Sequence, residues 1–74
     1  MTIKEVLDKL EVRIKKAKEA EDGEEFFSHL YYALSFQELA GQALSSGADS
    51  DSEDRFGRLS AELVVLVMPS VGVG

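Results

Sequence analysis

Near the carboxyl end Leu63, Val64, Val65, Leu66, Val67 and Met68 follow one another without a polar break, just after a run of acids. Each such side chain gains about 1.5–3 kcal/mol on leaving water. A chain of 74 residues must either cover this run with its own few elements or present it to another molecule. Domains this small bury only about 60% of the surface their unfolded chain exposes. They commonly need a disulfide, a metal or self-association to hold. The chain has no cysteine and a single histidine, so the expected staple is oligomerisation, as a homodimer, or docking on a larger protein. The longest apolar run falls well short of the roughly 20 residues that cross a bilayer. Lys4 and Glu5 interrupt the start before any apolar leader can form. The expectation is a cytoplasmic protein with no membrane partner.

The apolar periodicity is helical. Ile3, Leu7, Leu10, Ile14 and Ala17 recur at spacings of four and three, behind Thr2 and Glu5 in capping-box order. A first helix is predicted over Ile3–Glu21, stopped by Gly23, with Glu5–Lys9 and Glu11–Lys15 as favourable pairs on its polar side. Asp22 and Glu25 can open a second helix after a turn short enough to make the pair antiparallel. That helix carries Phe26, Phe27, Leu30, Tyr31, Tyr32, Ala33, Leu34, Phe36, Leu39, Ala40, Ala43 and Leu44. Apolar over most of its girth, it reads as the central helix, with its aromatic group mainly in the core. Gly41 is read as a tolerated helix glycine, and Ser45-Ser46-Gly47 as the stop. Ala48–Asp54 reads as a hydrophilic connector that caps a third helix through Ser50 or Ser52. Phe56, Leu59, Leu63 and Leu66 place that helix over Glu53–Val67, ended by Pro69. Three valines within Leu63–Met68 favour a strand, but no partner strand is visible. The fold expected is all-α: an antiparallel helical hairpin plus a third C-terminal helix, a three-helix bundle completed in cis or by a second copy. Residues 1–68 form the single domain and 69–74 a flexible tail.

Charge is unevenly spread. Residues 1–18 hold six cations against three acids, and residues 19–74 hold two cations against eleven acids. An acidic total argues against direct nucleic-acid binding, whose affinity comes largely from cations on phosphates. The basic cluster Arg13–Lys18 suits the negative end of the first helix dipole.

Candidate chemistry is thin. Asp49–Asp54 fits no calcium-loop frame: counted from Asp49, Asp54 and Ser60 fall at the sixth and twelfth positions, and counted from Asp51, Glu62 suits the twelfth but Arg55 and Phe56 occupy the fifth and sixth. Glu25 and His29 share a helix face, but di-metal bundles use Glu-x-x-His spacing. A single histidine without cysteine gives no persuasive catalytic set. The reading is a non-enzymatic protein without metal or cofactor: an adaptor, regulator or inhibitor that binds another protein through an apolar helical surface. Tyr31, Tyr32, Phe36, Leu63, Leu66 and Val67 are its expected contact residues. One alternative is a phage-type acidic mimic of nucleic acid that inhibits a host DNA- or RNA-binding enzyme. It would present Glu19, Glu21, Asp22, Glu24, Glu25, Asp49, Asp51, Glu53 and Asp54 to a basic groove. A metal-binding bundle is a further alternative.

Overall fold

The computed structural model describes residues 2–68. Within them the chain forms three helices, α1 (Ile3–Glu19), α2 (Gly23–Ser45) and α3 (Ser50–Val67), and no strand. The valines at the end of α3 are therefore helical, for want of any strand to pair with. The expected tail, 69–74, lies outside the described residues.

Thr2 starts α1 as read: its hydroxyl accepts from the Glu5 amide at 3.2 Å. The returning Glu5 carboxylate takes the Thr2 hydroxyl at 3.2 Å. The end of α1 and the start of α3 differ from expectation, while the Asp22 cap, the Ser45-Ser46-Gly47 stop and the end of α3 at Val67 are as read. α1 stops two residues early, because Ala20 turns to extended backbone while its amide still reaches the Ala17 carbonyl. Gly23 is thus no stop. It is the first residue of α2, behind Asp22, whose carboxylate accepts from the Glu24 amide at 3.3 Å. α2 ends where Gly47 adopts a φ of 112° and its amide returns to the Leu44 carbonyl at 3.0 Å. That left-handed turn is the conformation glycine takes without strain. α3 begins three residues earlier than the pattern implied, with Asp49 in the N-cap position in place of Ser50 or Ser52.

The helices run up, down and up. Arg13 of α1 meets His29 and Tyr32 of α2. Gln37 of α2 meets Ser60 of α3, and Gly41 meets Phe56. α1 and α3 lie parallel, joined by ion pairs from Arg55 to Asp8 and Glu11 and from Lys18 to Glu62. Glu11 therefore bonds across helices to Arg55, and the expected pairs with Lys9 and Lys15 along α1 do not form among the described residues. α3 packs on α1 and α2 of its own chain.

α1 is the hub of the bundle, not α2. It buries Val6, Leu7, Leu10, Ile14 and Ala17, whereas α2 buries only Leu30, Ala33 and Ala40. Ala33 and Ala40 of α2 are fully buried in the same core as the large side chains of α1, and such small residues let helix backbones approach closely. Leu59 and Leu63 of α3 complete the core, with Ile3, Phe26, Phe36, Phe56 and Leu66 packed half-buried around it. The α2–α3 seam is the least extensive of the three contacts.

Candidate functional site

The six expected contact residues separate into three environments. Leu63 is 1% exposed and belongs to the chain's own core. Leu66 packs half-buried against that core. Both sit on the stripe of α3 set by Phe56 and Leu59, which turns inward. They are therefore structural, which corrects their reading as contact residues.

Tyr32 and Phe36 lie on the α1–α2 seam. The Arg13 guanidinium stands 4.5 Å from the centre of the Tyr32 ring, in cation–π range. The Arg13 Nη1 donates to His29 Nδ1 at 3.1 Å. With Nδ1 accepting, the neutral ring carries its proton on Nε2, the nitrogen 3.8 Å from a Glu25 carboxylate oxygen. Tyr32 is thus held by α1, and His29 is engaged between Arg13 and Glu25. Phe36 lines a shallow depression with Asp8, Lys9, Val12, Arg13 and Lys16.

Tyr31 and Val67 remain exposed, and they belong to a larger surface. Phe27, Tyr31 and Leu34 recur at spacings of four and three, which puts them on one outward ridge of α2. Phe27 and Tyr31 are 66% and 68% exposed. Across the seam, Val64 and Val67 follow Ser60 at the same spacings, also exposed. Because Gln37 bonds Ser60 and Gly41 faces Phe56, the apolar half of α3 lies beside the first half of α2. The expectation that the α2 aromatics are core holds only for Phe26 and Phe36, which are half-buried. The Phe27 ring stands edge-on to Phe26 at 5.4 Å, a bridge from surface to core. Phe27, Leu34 and Val64, exposed beside Tyr31 and Val67, were not among the expected contact residues. The signal for Phe27 and Leu34 was present in their spacing to Tyr31, but nothing local says which side of an all-round apolar helix faces water.

The acids proposed for mimicry fall at opposite ends of the bundle. Glu19, Glu21, Asp22, Glu24 and Glu25 surround the α1–α2 turn, and Asp49, Asp51, Glu53 and Asp54 surround the start of α3. The 23 residues of α2 separate them, a distance of about 34 Å at 1.5 Å per residue. Among the described residues no three His, Asp or Glu side chains converge as metal ligands. No described helix is long and apolar enough to cross a membrane. The chain matches no protein-family model, no curated protein and no solved structure.

Proposed function

We propose that the chain is a non-enzymatic protein-binding module whose contact surface is the apolar face made by Phe27, Tyr31 and Leu34 of α2 with Val64 and Val67 of α3. One observation carries this reading. The bundle closes its core with other residues, yet leaves two aromatic and three aliphatic side chains together on the outside. A contiguous apolar patch on a small domain costs solubility unless something covers it. Exposed tyrosine is also the residue type most used as an interface anchor, being large, fairly rigid and content with one wet end. An adaptor, regulator or inhibitor of another protein is the class of activity that such a surface serves. The separation of the acids into two poles gives no continuous row to lie along a basic groove, so nucleic-acid mimicry gains no support from the geometry.

The test uses a photo-crosslinking aromatic residue at position 31, with a second at the exposed Val12 of α1 as control. The reading expects a discrete adduct in the native host from position 31 only. Leu34→Glu and Val67→Asp should abolish it while leaving the helical circular-dichroism spectrum and melting curve intact. Adducts of equal yield from both positions, or adducts indifferent to the two charges, would remove the proposal.

A further inference from the structure

The ridge that carries Phe27, Tyr31 and Leu34 is closed at each end by an acid. Glu24 precedes Phe27 by three residues and Glu38 follows Leu34 by four, so all five share one side of α2. Both carboxylates are exposed, and neither has an ion-pair partner among the described residues. α2 contains no lysine or arginine at all. The cation that reaches α2 from another helix, Arg13, is held by Tyr32 and His29, while Arg55 pairs with Asp8 and Glu11 and Lys18 with Glu62. Arg58 shares its side of α3 with Val65, away from Ser60, Val64 and Val67. The apolar turns of α3 beside this ridge carry no charge of either sign.

Resting on the docking reading above, we propose that this face receives a cationic amphipathic helix of another protein. Its apolar stripe would cover Phe27, Tyr31, Leu34, Val64 and Val67, and a cation near each end would meet Glu24 and Glu38. The two acids are 14 positions apart on α2, roughly 21 Å along its axis, which sets the spacing of the partner's cations at about four helical turns. Charge complementarity disfavours the simplest self-pairing. Two copies joined by a two-fold axis across this face would set Glu24 and Glu38 of one copy against the same acids of the other, and like charges at an interface rim disfavour association.

The experiment titrates two synthetic helical peptides into the full chain and follows backbone amide shifts. The peptides share one leucine stripe; one carries lysines flanking it, the other glutamates. The lysine peptide should move the amides around positions 27, 31, 34, 64 and 67. Its binding should weaken roughly tenfold in Glu24→Lys/Glu38→Lys, and should weaken as salt rises. The glutamate peptide should bind far more weakly. Equal binding of both peptides on this face would overturn the cationic assignment and leave the docking reading standing. Failure of both peptides to touch the face would count against both readings. Lysine-peptide shifts confined to residues 21–25 or 49–54 would show attraction to the acidic poles alone and overturn the proposal. So would two findings in the free protein: dimerisation at micromolar concentration through these residues, or contacts of Val71 or Val73 with the Phe27 and Tyr31 rings.

Discussion

At the residue scale, the polar side chains hold helices in register. Arg55 reaches Asp8 and Glu11 through a single nitrogen, at 2.7 Å to each. Those two carboxylates raise the guanidinium further above its already high ordinary value, so Arg55 stays charged at every working pH. Partly exposed pairs of this kind contribute about 0.2–1 kcal/mol each. Arg55→Met should therefore lower the stability by roughly 1 kcal/mol in low salt, with the deficit shrinking as salt screens the wild-type pairs. Denaturant midpoints at two ionic strengths measure it.

Asp49 supplies the pH-dependent element. It closes no capping bond of good geometry, but the nearby Ser52 hydroxyl favours its charged form and holds the carboxyl below its ordinary value of 3.8. A carboxyl depressed in the folded state stabilises above its unfolded value, and that contribution is lost as pH falls through the folded one. Asp49→Asn should melt below wild type near neutral pH, and the two curves should converge below about pH 4. A gap that stays constant down to the acid limit would contradict the assignment. The Arg13–Tyr32 contact is measurable by a double-mutant cycle, with about 0.5–1 kcal/mol of coupling expected for an exposed cation–π pair. None of these features was legible in the sequence, which placed the α3 cap at Ser50 or Ser52 instead of Asp49. Arg55 and Arg13 find their partners 44–47 and 16–19 positions away, and no local pattern reports such pairings.

At the scale of the element, α3 shows how a nearly unbroken apolar run divides. Leu59, Leu63 and Leu66 follow the helical period and turn inward, while Val64, Val65, Val67 and Met68 fall between them and face out. Of the six residues of the unbroken apolar run, two turn to the core and four face water, because a helix returns to the same face only every three to four residues. Gly57 lies within α3 with open space where a Cβ would go. Gly57→Ala should raise stability by about 0.5–1 kcal/mol through helix propensity alone. A shift of the urea midpoint at constant slope checks it. At Gly41 the Phe56 ring stands 3.7 Å from an added Cβ, an ordinary contact. The glycine is tolerated in the helix, as read, and another helix does approach it.

At the scale of the whole molecule, stability rests on α1. Leu10 is fully buried, and Leu10→Ala removes about 2–5 kcal/mol. A domain of this size holds only about 4–11 kcal/mol in all, so that variant should melt far below wild type or be partly unfolded at room temperature. The fully buried Ala40 tests the close α1–α2 approach from the opposite direction. Ala40→Leu should destabilise by about 1–3 kcal/mol by overfilling the contact, although leucine is a good helix former. A neutral result at either position would show that the core is looser than this packing implies. Three helices, their order, the Thr2 and Asp22 caps and the Gly47 stop follow from the sequence by itself, because caps, turns and apolar spacing act within a few residues of one another. Tertiary structure alone decided which helix is the hub, that Leu63 is core while Phe27 and Leu34 are surface, and that the acids gather at two poles. The physical reason is that α2 is apolar nearly all round, so its own period gives it no preferred inside. The leucines of α1 and Phe56 of α3 choose that inside by packing, and the side they leave uncovered stays in water.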